Sequence, residues 1–149
     1  MASIRRNAEV VKSVLSQLQG YRDDFTDKFK KEDAALKAAN QELAKKRTLL
    51  SPEAFSQERQ DFEKKVISMQ QMIQSSKQAL EIVNEKAMFE VDKVLNSIIE
   101  GIAEERGLNL ILRRDVTILI SRKLDITEDV IKQLNAKLPK VKVEKPVIK

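Results

Sequence analysis

The chain has 149 residues, enough for one domain or for one small domain with an appendage. Charged residues make up 34% and aromatic residues 4%, which is typical of long solvated helices and not of a thick globular core. The absence of His and Cys removes the commonest general base, the thiol nucleophile and any disulfide. With no Gly-rich phosphate loop either, the sequence predicts a protein that is not an enzyme and has no cofactor or metal.

The net charge of +5 is unevenly distributed. Residues 1–50 carry 11 basic and 7 acidic groups, residues 51–106 carry 7 and 11, and residues 107–149 carry 10 and 5. A basic first helix beside an acidic second helix favours antiparallel pairing. The basic residues alternate with acidic ones and no aromatic platform accompanies them, so we expect no nucleic-acid partner.

Apolar residues recur at steps of three and four on both sides of Ser51-Pro52, which predicts two long helices with an apolar seam. Ser51 suits an N-cap, and Pro52 suits the first helical position. The prediction is an antiparallel helical hairpin over residues 4–106, with its tip near residue 51. The predicted seam of the first helix is Ile4, Ala8, Val11, Leu15, Leu18, Arg22, Phe25, Phe29, Glu32, Leu36, Ala39, Leu43, Lys46 and Leu50.

The second helix is predicted from Pro52 to Arg106, with Gly107 as the residue that ends it. Near residue 88 its stripe moves by one position, which indicates a different packing partner at the base of the hairpin, residues 88–106. The stripe in this part of the helix is Met88, Val91, Leu95, Ile98 and Ile102.

The pattern then changes to period two over residues 108–121, which predicts a β-hairpin with its turn at Arg113-Arg114-Asp115. A last helix with Thr127 as its N-cap completes a small body over residues 107–138. The basic tail, residues 139–149, is predicted to be mobile. The expected fold is therefore mainly α with a small β body.

A body of about 30 residues cannot bury enough apolar surface to fold alone, and an isolated two-stranded hairpin is marginal. Symmetric copies of the same chain are the expected neighbours, which would complete a shared β-barrel-like base. The residues predicted to form this body are Leu108, Leu110, Leu112, Val116, Ile118, Ile120, Val130, Ile131 and Leu134.

Residues 107–116 (GLNLILRRDV) and 124–135 (LDITEDVIKQLN) resemble the C-terminal signature of the Skp (OmpH-like) family. The preceding hairpin, with Leu-Ser-Pro-Glu at residues 50–53, has the matching length and order. The resemblance covers about residues 4–138 and departs from the family pattern at Arg113, where an Asp is usual. The short first strand of the family is missing from the sequence, and residues 1–6 lack the apolar core of a secretory signal.

This resemblance implies a periplasmic homotrimer with three helical arms that enclose a cavity. It implies an ATP-independent holdase, a chaperone that binds unfolded proteins without folding them, whose clients are outer-membrane β-barrel proteins. The alternative is a structural or adaptor coiled coil without chaperone activity.

A holdase needs scattered apolar groups for weak multivalent contacts. The candidates off the seam are Val10, Val14, Tyr21, Ile67, Met72, Ile82 and Phe89. The alternative for each of them is packing within the hairpin or its base.

Basic residues near residue 51 form a second candidate surface, the basic tip patch: Lys45, Lys46, Arg47, Lys64 and Lys65. Such a patch could contact anionic lipid or lipopolysaccharide. The alternative is an ordinary solvated surface, because Glu42, Glu53, Asp61 and Glu63 lie nearby in the sequence.

Overall fold

The computed structural model describes residues 2–148, and helices dominate it as the sequence predicts. In chain order the elements are α1 (Ala2–Asn7), α2 (Glu9–Lys46), α3 (Pro52–Arg106), 3₁₀ turns at Arg114–Val116 and Arg122–Leu124, and α4 (Thr127–Lys137). No helix within residues 2–148 combines the length and the apolar character needed to cross a membrane.

The described residues divide into two compact units. Unit 1 contains residues 2–19 and 83–144, and unit 2 contains residues 20–82 and 145–148. The long helices α2 and α3 contribute residues to both units.

The turn between α2 and α3 lies in unit 2 and follows the predicted chemistry. The hydroxyl of Ser51 accepts a hydrogen bond from Ala54 N at 3.3 Å, and its carbonyl accepts one from Phe55 N at 2.9 Å. Pro52 therefore occupies the first helical position, where its missing N–H leaves no bond unmade. Lys46 of α2 pairs with Glu58 of α3 at 2.7 Å, in agreement with the predicted antiparallel contact between a basic and an acidic helix.

The seam in unit 2 is narrow, as expected for two helices packed only on each other. Phe25 and Phe29, one turn apart on α2, stack with ring centroids 6.3 Å apart. Ser76 of α3 is buried, and its hydroxyl donates to the carbonyl of Met72 at 2.7 Å, so burial leaves its oxygen satisfied.

The main hydrophobic core lies in unit 1 and surrounds the predicted stripe of α3. Val91, Leu95, Ile98 and Ile102 are buried against residues of α1, the start of α2, and α4. Helices α1 and α4 belong to this core beside the start of α2, so this part of α3 packs in a core formed by several helices. The other buried core residues are Ile4, Ala8, Val10, Val11, Val130 and Leu134.

The first predicted helix is divided at Ala8, which lies between α1 and α2. The N–H of Glu9 donates to Asn135 Oδ1 of α4 at 2.9 Å, so a side chain from α4 satisfies a backbone donor at the start of α2. Nearby, Arg5 donates two hydrogen bonds to the carboxylate of Asp92, at 2.8 and 3.1 Å.

The predicted seam fails at a single residue in the first part of α2, whereas Val11 and Leu18 on either side of it are buried as predicted. Leu15 was expected to be buried but is 53% exposed, whereas its neighbour Val14 is fully buried. The physical reason is that the start of α2 belongs to a core with several contributing helices, and a two-helix seam does not describe its buried face.

The end of α3 is as predicted. Gly107 has φ +63°, the left-handed conformation that favours glycine. Leu108 N donates to Ala103 O at 2.8 Å and Gly107 N donates to Glu104 O at 3.3 Å, which together form a Schellman motif.

The predicted β-hairpin is not present, since no strand occurs within residues 2–148. A 3₁₀ turn at Arg114–Val116 overlaps the predicted turn but joins no strands. The backbone is extended at Arg113, Thr117 and Ser121 but has no ladder partner among the described residues. One chain provides no neighbour that would cover the apolar side chains of two such strands, so their pairing has little to stabilise it.

The predicted N-cap of α4 is also wrong by one residue, because Ile126 is the cap and Thr127 is already helical. The Asp125 carboxylate accepts the Thr127 N–H at 3.0 Å and pairs with Arg114 at 2.6 Å. Hydrogen bonds from the Thr127 side chain and backbone, and then from Arg114, lower the pKa of Asp125 below its ordinary value of 3.8.

The tail that the sequence predicts to be mobile contacts unit 1 over residues 141–144. Val143 is almost fully buried, and Val141 packs on the main core. Gln17 of α2 hydrogen-bonds the tail backbone, and Lys86 of α3 pairs with Glu144 at 3.2 Å.

The buried face of α2 predicts opposite outcomes for two leucines of the same helix. Leu18→Ala should lower the free energy of unfolding by about 2–5 kcal/mol, because Leu18 is only 2% exposed. Leu15→Ala should change it by about 0.5 kcal/mol or less, since Leu15 is exposed. Urea denaturation followed by circular dichroism measures both. Equal losses for the two variants would contradict the position of the buried face.

The Asp125 turn predicts a stability that depends on pH. Because the folded pKa lies below 3.8, this carboxylate stabilises the fold above the ordinary pKa, and the effect is lost as pH falls through the folded pKa. Asp125→Asn should therefore unfold at lower urea than the wild type at pH 7, with a difference that shrinks in acid. Thr127→Val, which keeps the backbone donor, should retain part of this pH dependence. A difference that stays constant down to pH 3 would contradict the assignment.

Candidate functional site

The candidate contact residues on α2 lie mostly inside the protein. Val10 and Val14 are fully buried, which corrects their proposal as client contacts in favour of the alternative, packing within the base. Val10 belongs to the main core of unit 1, which covers a face of α2 that a two-helix seam would leave open. Tyr21 is half-buried.

The candidates on α3 are more accessible. Ile67 and Ile82 of unit 2 are 53% and 52% exposed, and at 100° per residue they lie within about 60° of each other around the helix. Phe89 of unit 1 is 68% exposed, an unusual position for a large aromatic side chain. These three residues keep their assignment as candidate contacts.

Met72 is half-buried and lines a groove of about 290 Å³ in unit 2. Leu36 and Ala39 of α2 face Met69 and Met72 of α3 across this groove. Methionine adapts its shape to irregular apolar surfaces, so this groove could accept an apolar side chain without rearrangement of the backbone. The polar residues at its edge are Glu32, Lys65 and Ser68.

The basic tip patch is largely neutralised by its neighbours. Lys45 pairs with Glu42 at 2.7 Å, Lys46 with Glu58 at 2.7 Å, and Lys64 with Asp61 at 3.0 Å. Among the described residues no ion pair involves the other two members, Arg47 and Lys65.

These contacts lower the pKa of two carboxylates beside the patch. A hydrogen bond from Lys45 lowers the pKa of Glu42, and hydrogen bonds from Lys64 and Gln57 lower the pKa of Asp61. Both carboxylates therefore stay charged at neutral pH and compensate the lysines. This compensation favours an ordinary solvated surface, and contact with anionic lipid or lipopolysaccharide stays a prediction.

The connection from α3 to α4 carries the largest group of exposed apolar side chains. Four of the predicted body residues, Leu110, Leu112, Val116 and Ile118, are exposed, and Ile118 has the relative exposure of a free side chain, 107%. Ile111 and Leu119 are exposed beside them. Contiguous exposed apolar residues of this kind mark interaction surfaces in soluble proteins.

The other predicted body residues lie closer to the core of unit 1. Val130 and Leu134 of α4 are buried in it, and Ile131 packs against it. Leu108 and Ile120, at the two ends of the connection, are half-buried. The structure thus brings the α4 residues together with α3 within one chain and leaves the middle of the connection uncovered.

Sequence patterns did not identify the contacts of Gln17 and the tail. The signal in the sequence was the alternation Lys140-Val141-Lys142-Val143-Glu144, which has the period of an extended segment with one buried face. Beside the tail a groove of about 500 Å³ is lined by Val83, Ala87 and Phe89 of α3, among others.

Groups of acidic residues that could hold a metal ion do not occur within residues 2–148. The chemistry of the candidate surfaces is therefore that of apolar contact, backbone hydrogen bonding and charge.

Comparison with known proteins places the chain in a family. A family model described as "Outer membrane protein (OmpH-like)" matches residues 1–134. No curated protein sequence matches the chain. A crystal structure from Caulobacter crescentus CB15, described as a "putative outer membrane chaperone (OmpH-like)", superposes with a TM-score of 0.89 at 21% identity, over 98% of this chain and 86% of that chain. The likeness in structure shows a shared fold, and the match of the family model shows membership.

The chain belongs to the OmpH-like family, whose members are chaperones and not enzymes.

Proposed function

We propose that the chain is an ATP-independent holdase that binds unfolded outer-membrane β-barrel proteins in the periplasm. The observation that carries this proposal is the exposed apolar side chains on α3, Ile67, Ile82 and Phe89, in a chain of a chaperone family. Each of these side chains can cover a short apolar segment of an unfolded client at modest affinity. Several such contacts on one client add up to stable but reversible binding.

Self-assembly is the second part of the proposal. The exposed residues of the connection, Leu110, Leu112, Val116 and Ile118, have apolar surface that the described part of one chain does not cover. We propose that three copies bury these residues against one another and pair the extended segments as a small β body, as resemblance to the Skp (OmpH-like) family implies. The helical arms of the three copies would then enclose the cavity that holds the client.

The alternative is an adaptor coiled coil, in which the exposed face of Ile67 and Ile82 packs against a partner helix. Such a protein would not protect unfolded clients. Aggregation measurements therefore separate the two hypotheses.

Client protection is tested by diluting an outer-membrane β-barrel protein from urea into buffer with excess chain and following light scattering. The wild-type chain should suppress the scattering. Ile67→Ser combined with Ile82→Ser should weaken suppression about fivefold, the equivalent of about 1 kcal/mol of apolar contact.

Leu49→Ser is the matched control for that pair, because Leu49 is exposed and lies outside the proposed contact surface. This variant should suppress scattering as the wild type does. Unchanged client aggregation at several-fold excess of the wild-type chain would contradict the holdase proposal and favour the adaptor hypothesis.

Trimerisation predicts a sedimenting species of three times the 17.0 kDa chain mass in analytical ultracentrifugation. Ile118→Asp should dissociate it, because a carboxylate would be buried in the shared interface without a partner. Val147→Asp, the same kind of change at a residue outside the connection, should leave the mass unchanged. A wild-type chain that sediments as a monomer at all concentrations would contradict the assembly.

A further inference from the structure

The contact between the tail and unit 1 has the form of a peptide in a binding site. Burial alternates along the tail, with Val143 1% exposed and both Lys142 and Glu144 exposed to solvent. This period of two is that of an extended segment with one face on the protein. Lys86 of α3 pairs with Glu144, whose side chain lies on the solvent side.

The Gln17 side chain recognises the backbone of this segment. Gln17 Nε2 donates to the carbonyl of Val141 at 2.8 Å, and Gln17 Oε1 accepts from the N–H of Val143 at 3.0 Å. A carbonyl and the N–H two residues later point to the same side of an extended chain, so one side-chain amide bonds both, as the N–H and C=O of a single residue do in a neighbouring parallel strand. Recognition of this kind depends on the backbone and accepts many sequences, as in strand addition to a sheet edge.

Side-chain selection comes from the surface beneath the segment. The surface of unit 1 that residues 141–143 occupy, here called the tail site, takes one apolar side chain almost completely out of water at Val143. The open groove of about 500 Å³ beside it is lined by Phe89 and Val83, and this groove offers apolar surface for further residues of a bound segment. Apolar residues at alternate positions therefore suit the site.

Alternation of apolar and polar residues is the pattern of transmembrane β-strands, in which one face contacts lipid and the other faces the lumen. The tail itself has this pattern over residues 140–144, and it lies beyond residue 134, where the match to the family model ends. The tail thus shares the alternating pattern of a client strand while it is covalently part of the chain.

We propose that the tail site binds extended client segments of alternating apolar and polar residues, and that residues 141–143 occupy this site until such a segment displaces them. The proposal rests on the proposed holdase function, which supplies the class of client. A tethered segment has an effective concentration on the order of millimolar, so it competes with weak ligands and is displaced by segments that bind at several points. The tail would then limit binding to long unfolded chains.

The test uses the full chain and a fluorescent peptide with the sequence of residues 138–144, Leu-Pro-Lys-Val-Lys-Val-Glu, followed by fluorescence anisotropy. Val143→Asp places a charge in the buried position and should release the tail, so this variant should bind the peptide about tenfold more tightly than the wild type. Val147→Asp is the matched control, since Val147 belongs to the same tail but is 72% exposed, and its peptide affinity should equal that of the wild type.

Two further measurements separate a binding site from a packing contact. Adding Gln17→Met to Val143→Asp should weaken peptide binding about tenfold through loss of two backbone hydrogen bonds. A peptide with its second valine replaced by serine should bind more weakly to every variant. Circular dichroism checks that each variant is folded. If Val143→Asp unfolds the protein, Val143→Thr replaces it, because threonine keeps the side-chain shape. Val143→Thr should give a smaller gain in peptide affinity.

Equal peptide affinity in the wild type and the Val143 variants, or no measurable binding to any of them, would overturn the tail site. If the wild type suppresses client aggregation while the peptide affinities are equal, the tail site fails and the holdase function stands. If the Val143 variants gain peptide affinity but the wild type does not suppress aggregation, the holdase function fails and the tail site remains a peptide-binding site.

Discussion

Unit 1 depends on the packing of one face of α3. Val91, Leu95, Ile98 and Ile102 are the side chains around which α1, the start of α2 and α4 are arranged. Full burial of a side chain of this size contributes about 1.5–3 kcal/mol. The helix α4 has 11 residues, which is marginal for an isolated helix in water, so its stability depends on this contact.

Polar contacts fix the position of the smaller helices on that core. Asn135 of α4 accepts the N–H of Glu9, and Arg106 at the end of α3 pairs with Asp129 in the first turn of α4. The first contact joins helices that are distant in the sequence, and the second joins the two ends of the connection between α3 and α4. The middle of that connection remains uncovered within residues 2–148, although it is rich in apolar residues. Long connections of this kind inside compact units are usually functional, and here the composition indicates an interface.

Much of the helical structure could be predicted because its signals are local. Ser51, Pro52 and Gly107 act within one turn of the backbone, and the helix ends lie where these residues predict them. The stripe at residues 88–102 was also predictable, since its period is regular over several turns.

Features that depend on distant contacts were not predicted. Val14 is buried and Leu15 is exposed. Which of the two is buried depends on contacts with other parts of the chain, and the apolar pattern of α2 alone does not specify those contacts. Val143 is buried at a site where its N–H bonds Gln17, more than a hundred residues away. The paired strands over residues 108–121 were the most explicit prediction for the base, and a single chain does not form them. Of the candidate contact residues, Ile67, Ile82 and Phe89 of α3 are exposed, whereas Val10 and Val14 at the start of α2 are buried.

Hydrogen exchange measured by mass spectrometry tests the central claim most directly, namely that other copies of the chain cover the connection between α3 and α4. The account predicts that backbone amides of residues 108–120 exchange slowly at concentrations where the chain is assembled and quickly at concentrations where it is monomeric. The amides around Leu95 should be protected in both conditions, because their core is complete in one chain. Rapid exchange of residues 108–120 in the assembled protein would contradict the account.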